Sequence, residues 1–239
     1  PDRWVEEAPP PGPVTSRPAR PPRPRRGRPG SLPPEVARDL AEAVGTTGAV
    51  RAEKRLLDAT AAFDDERPAD ALRILRPLLS RAGEVAAVRE LAGLALYRLG
   101  RWKEAAAHLE AYVRLAGSVE RHPVLADCYR ALHRYGRCAE LWEELGRASP
   151  SAAVVTEGRI VAAGALADQG DLRRAIALLE RGPVRPRRVP AEHHLRLWYA
   201  LADLYERVGD TPAARELFGR IAAIDPGMAD VAERLSALG

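Results

Sequence analysis

The chain has 239 residues and 46% apolar side chains, enough to bury a core, but only 5% of it is aromatic, so alanine and leucine must do most of the filling. Those residues favour helix, and β-branched and aromatic residues are too sparse for a β-rich fold, which makes all-α the expected class. The formal charge of +4 sits mostly in residues 1–36, which hold seven Arg against four acids. The rest is near neutral, so no basic folded surface for nucleic acid is implied.

Lysine occurs only at Lys54 and Lys103 and asparagine is absent, a usage that points to the coding bias of a high-GC bacterium. The two cysteines, Cys128 and Cys138, fall at inward-facing helical positions. Thiols used as small hydrophobes suit a reducing compartment, and a cytoplasmic location is expected. No run of 18 or more apolar residues occurs, so no membrane-spanning helix is expected. The sequence begins at Pro1, which leaves a preceding targeting segment open.

Residues 1–33 read as an arm. Twelve of the 21 prolines lie in residues 1–36, and Arg17 to Arg28 holds six arginines (Arg17, Arg20, Arg23, Arg25, Arg26 and Arg28) and no acid. So few apolar side chains cannot offset the entropy of ordering, and a disordered, polyproline-like arm is expected. Trp4 and Val5 are an isolated apolar pair within it. The arm reads as a plain linker, as a short docking motif, or as a salt-sensitive RNA- or DNA-binding segment.

Residues 34–239 read as one helical domain. Val36, Leu40 and Val44 recur at helical spacing in a first helix over Ser31–Val44, which Gly45-Thr46-Thr47-Gly48 should end. The clearest pattern lies near the far end. Trp198, Leu201, Ala202 and Tyr205 share one helical face, Gly209-Asp210 breaks the helix, Ala214, Phe218 and Ile221 share the face of a second, and Asp225-Pro226 stops it. This W-x2-L-A-x2-Y, A-x3-F, P spacing resembles that of the tetratricopeptide repeat, with Ala202 where the family usually has Gly.

The same template fits near 52–85, 86–118, 119–152, 156–189 and 195–228, followed by an amphipathic capping helix over 228–238. The resemblance implies a right-handed α-solenoid of about five helical hairpins. Its test is steric, because antiparallel helices approach closely only over small side chains. The crossing site holds Ala59, Gly93, Ala126, Ala163 and Ala202 in the first helices, and Ala71, Ala105, Cys138, Ala175 and Ala214 in the second. The neighbouring bulky sites hold Leu96, Tyr129, Leu166 and Tyr205, then Leu75, Leu109, Trp142, Leu179 and Phe218, with Ala62 the exception. Pro77 should kink or shorten its helix. His133 takes a turn position that usually needs glycine. In the capping helix Val231, Leu235 and Leu238 should face the last repeat, and Asp230, Glu233 and Arg234 water.

No catalytic motif, phosphate loop or metal-ligand spacing occurs, so no enzyme, cofactor or metal is expected. A zinc site from His122, Cys128, His133 and Cys138 is disfavoured because both cysteines take core positions. His193 and His194 are adjacent, about 100° apart on a helix, and cannot chelate together.

The resemblance implies a protein or peptide partner, held on the concave face lined by successive first helices. By offset, that face carries Glu90, Tyr97, Arg98, Asp127, Arg130, Tyr199, Asp203 and Arg207. Tyr97 and Tyr199 are expected to cover an apolar ligand side chain, and Arg98, Arg130 and Arg207 to pair with carboxylates. The plainer alternative is a solvated, ion-paired face. The Lys/Asn clamp of chaperone-binding members has no counterpart here, and the oligomeric state is not indicated. The crossing geometry predicts that Ala214→Leu overpacks its hairpin and lowers stability by about 1–3 kcal/mol, read as a drop in the thermal midpoint.

Overall fold

The structure, a computed structural model, describes residues 31–185 and 189–239. The expected disordered arm, including Trp4, Val5 and Arg17 to Arg28, therefore lies almost wholly outside the described residues. Among the described residues there are twelve helices and no strand: α1 Pro34–Val44, α2 Thr46–Asp64, α3 Pro68–Arg81, α4 Ala86–Arg98, α5 Trp102–Ala116, α6 His122–Ala131, α7 Tyr135–Ala148, α8 Ala152–Asp168, α9 Leu172–Glu180, α10 Glu192–Arg207, α11 Thr211–Ala222 and α12 Val231–Ala237. No helix among the described residues is long and apolar enough to cross a membrane.

Helices α2/α3, α4/α5, α6/α7, α8/α9 and α10/α11 pack as hairpins, and each hairpin stacks on the next to give an α-solenoid. One turn joins the two helices of every pair. Its central residue is Glu66, Gly100, His133, Gly170 or Gly209, with φ of 60°, 70°, 56°, 84° and 83°. The next N–H reaches back to the bulky-site carbonyl five residues earlier, as in Arg67 to Ala62, Arg134 to Tyr129 and Asp210 to Tyr205. This closure satisfies carbonyls that a helix end would otherwise leave unpaired. Asp171 and Asp210 then cap the second helix by accepting the backbone N–H of Arg174 and Ala213. The left-handed turn expected for His133 is present, and Glu66 is a second non-glycine residue in the same strained position.

All ten crossing residues are buried. A Cβ on Gly93 would lie 2.7 Å from Leu109 Cγ, so only glycine admits that approach. Helices α4 and α8 bury residues around much of their circumference. Leu91 to Tyr97 of α4 are buried without a break, and α8 buries residues from Val154 to Ala167 on opposite faces.

Three local expectations change. Thr46-Thr47-Gly48 do not extend the break, because Gly45 alone, at φ 78°, reverses the chain and α2 begins at Thr46. Gly48 then lets α2 pass against Val44, whose Cγ2 a Cβ would meet at 3.0 Å. Pro77 does not shorten α3, which runs on to Arg81, because Pro77 lies on the exposed side where water replaces the missing donor. The last helix is shorter than expected, and Arg234 does not face water. It lies over Phe218 at 5.1 Å and pairs with Asp203 at 2.8 Å, because α12 packs on α11 and the long Arg234 side chain reaches from there to α10.

The turn geometry yields a stability test. Glu66→Gly removes the left-handed penalty of a β-carbon, offset in part by the entropy of glycine, and should raise stability by about 0.5–1 kcal/mol in chemical denaturation. Glu66→Ala should give no such gain.

Candidate functional site: the face of the first helices

The first helices α2, α4, α6, α8 and α10 present equivalent offsets on one side of the stack, and from α4 onward polar side chains there bond from one first helix to the next. Between α4 and the start of α6, Arg121 Nε donates to Glu90 Oε1 at 2.5 Å, and the Tyr97 hydroxyl donates to Asp127 Oδ2 at 2.5 Å. Between α6 and α8, Arg130 Nε donates to Asp168 Oδ2 at 2.6 Å while its Nη1 donates to Asp127 Oδ1 at 3.0 Å. Gly164 makes room for this guanidinium, since a Cβ there would stand 3.0 Å from Nη1. Between α8 and α10, Arg196 meets Glu157 at 2.7 Å. From α10 to α12, the Tyr199 hydroxyl donates to Asp230 Oδ1 at 2.6 Å and Arg234 bridges Asp203 and Glu206.

The structure thus brings the eight sequence-selected residues to one face in two groups. Glu90, Tyr97, Arg98, Asp127 and Arg130 lie on α4 and α6; Tyr199, Asp203 and Arg207 lie on α10. Most have partners inside the chain. Tyr97 is only 7% exposed, with Trp102 edge-on at 5.3 Å, so its ring is part of the core. Tyr199 is enclosed by Phe218, Arg234 and Asp230; burial first, then the Asp230 hydrogen bond, pushes its hydroxyl up to about 12. Arg130 is fixed by two carboxylates. Arg98 rests over the Phe63 ring at 5.8 Å and enters no ion pair among the described residues. Arg207 is exposed and only loosely paired, 4.0 Å from Asp203. Between the polar links, Val124, Val161 and Ala200 occupy one shared offset on α6, α8 and α10 and are half-buried.

Sequence reasoning missed Arg121, Glu157, Asp168, Arg196, Asp230 and Arg234. A signal existed, in that a donor and a carboxylate about one repeat apart, as in Glu90/Arg121 or Asp203/Arg234, tend to meet when hairpins stack.

The disfavoured zinc set is drawn to separate partners. His122 Nε2 is 2.9 Å from Glu144, His133 Nδ1 is 2.8 Å from the Tyr135 hydroxyl, and Cys138 Sγ donates to the Ala126 carbonyl at 3.1 Å. Burial, then Asp127, pushes both thiols up, Cys138 to about 12, so neither is a thiolate near neutral pH. Contrary to the expected 100° divergence, the His193 and His194 rings lie 4.1 Å apart, because His194 Nδ1 turns back to accept the Ala191 N–H. Among the described residues no group of three or more His, Cys, Asp or Glu is arranged to hold a metal.

Comparison with known proteins bears on the fold. Residues 56–120 and residues 195–238 each match a tetratricopeptide repeat model. Among solved structures, a thermophilic TPR protein of Thermus thermophilus is similar with a TM-score of 0.60 at 18% identity, over 78% of this chain and 98% of that one. A Podosopora anserina protein of kinesin light chain type, with nearly identical TPR-like repeats, is similar with a TM-score of 0.59 at 18% identity, over 77% of this chain and 97% of that one. At that identity both likenesses speak to the fold alone. No curated protein matches the sequence.

Glu157 gives this face a pH dependence. Burial pushes its carboxyl up from 4.5 to about 6, Glu192 adds to the rise, and Arg196 opposes it. The folded state therefore holds the proton more tightly than the unfolded chain. Stability should fall as pH rises through 4.5–6, by at most about 2 kcal/mol, and stay level above. Chemical denaturation from pH 4 to 7.5 should show this component in the wild type and lack it in Glu157→Gln.

Proposed function

This chain is a tetratricopeptide repeat protein, a member of a family of protein-interaction modules, and we propose that it is a non-catalytic scaffold holding a peptide or helix of a partner protein along its first-helix face. The observation that carries the reading is the half-buried apolar strip of Val124, Val161 and Ala200, repeated at one offset and flanked by polar links. A partner's apolar side chains would bury on the strip. Its carboxylates would meet Arg98 and Arg207, which the chain's own acids do not saturate. Arg130, Tyr97 and Tyr199 act differently, setting the spacing of the helices that form the face. We place the protein in the cytoplasm on the ground that Cys128 and Cys138 are buried, unpaired thiols.

Affinity capture with the wild type and with the Arg98→Glu/Arg207→Glu variant tests this reading. Arg207 is exposed and Arg98, half-buried over Phe63, has no ion pair to lose among the described residues, so helix content by circular dichroism should be unchanged. A partner held by the wild type and lost by the variant is the expected result. Partners retained equally by both would remove the face from consideration.

A further inference from the structure

The second helices carry a separate feature. Between α7 and α9, above α8, lies a cleft of about 330 Å3. It exists because side chains that could fill it are truncated: Ala139 on α7, Ala162 and Ala165 on α8, and Ala177 on α9 all line it. Trp142 and Leu178 line it as well. The cleft shares no residue with the first-helix face.

Its charge is one-sided. Arg174 and Arg181 stand on the α9 side, against Glu143 on α7. Arg174 is loosely held by Asp171 at 3.4 Å, while Arg181 enters no ion pair among the described residues. Next to Trp142 and Leu178 lies Arg159, whose Nη1 donates to the Leu178 carbonyl at 2.9 Å and whose guanidinium lies 5.3 Å from the Trp142 ring centroid. Arg159 meets no carboxylate among the described residues, and its Nε is buried with no hydrogen-bond partner. An inward guanidinium with an unmet donor is costly unless an acceptor arrives. Burial and then the nearby Arg181 lower its pKa, the direction expected of a cation held close to another cation.

We propose that this cleft docks an acidic peptide segment of a partner protein, which seats a leucine- or phenylalanine-sized side chain over Ala162 and Ala165 and presents a carboxylate to Arg181 and Arg159. Apolar floor and cationic rim each select one half of such a segment. A basic segment would be repelled at the rim, and a nucleic acid backbone would leave the apolar floor unfilled. The site is independent of the first-helix face, so a scaffold with both surfaces could hold two segments at once.

The test uses a fluorescent synthetic peptide with leucine at i, i+3 and i+4 spacing and aspartate or glutamate between, and a control with lysine replacing every acid. Anisotropy should rise on adding the full chain to the acidic peptide and stay flat with the control, and the affinity should weaken with added salt. Ala177→Trp fills the cleft from an exposed position, and Arg181→Glu reverses the rim. Each should weaken binding by about tenfold or more. The Arg98→Glu/Arg207→Glu variant, which lacks the carboxylate partners of the first-helix face, should still bind the acidic peptide and lose that binding when either cleft substitution is added. Absence of binding, equal binding of the two peptides, no residual binding in the Arg98→Glu/Arg207→Glu variant, or residual binding there undiminished by both cleft substitutions would each overturn the proposal.

Discussion

Everything in this molecule depends on how closely the two helices of each hairpin pass. Ala59, Ala71, Ala105, Ala202 and Ala214 are small and fully buried, and Gly93 passes so close to Leu109 that a Cβ would not fit. Seven residues beyond each first-helix crossing site, the chain must take a left-handed turn to bring the second helix back at that distance. The turn is so strictly required that Glu66 and His133 adopt it despite their β-carbons. A crossing site and a turn, linked by a fixed offset, define the repeat more sharply than any aromatic residue does.

Stacking the hairpins creates the second layer of organisation. Once first helices lie side by side, donors and acceptors about one repeat apart come within hydrogen-bonding distance. Arg121 on Glu90, Arg130 on Asp168, Arg196 on Glu157 and Arg234 on Asp203 are the result. Helix α12 takes part as if it were a further first helix, satisfying Tyr199 and Asp203 and covering the end of the stack. The proposed function of the face rests on subtraction. Charges consumed by these links hold its shape, and the proposal assigns those left over, Arg98 and Arg207, to a partner.

The fold was legible because its main requirement is steric and local. A small residue at the crossing and a bulky one a turn later can be recognised at fixed offsets in the chain, and the Trp198–Pro226 pattern carries them almost complete. The face was legible only as a set of positions. Offsets place Tyr97 and Arg130 on it, but not that Tyr97 is sunk against Trp102 or that Arg130 is held by Asp127 and Asp168. Those partners come from neighbouring repeats, and pairing them needs the rotation from one hairpin to the next. Arg234 shows the same gap. Helical periodicity assigned it to water, whereas the side chain reaches back from α12 onto the Phe218 and Tyr199 rings. The cleft between α7 and α9 was invisible for a related reason, since a void arises from several alanines on three helices and none is unusual alone.

Hydrogen–deuterium exchange, comparing a captured complex with the free chain, addresses most directly the claim that the first helices form the principal partner surface. The account predicts new protection on the first helices, centred on α6, α8 and α10 around Val124, Val161 and Ala200. Protection confined to second helices and turns, with the first helices exchanging as in the free chain, would contradict it.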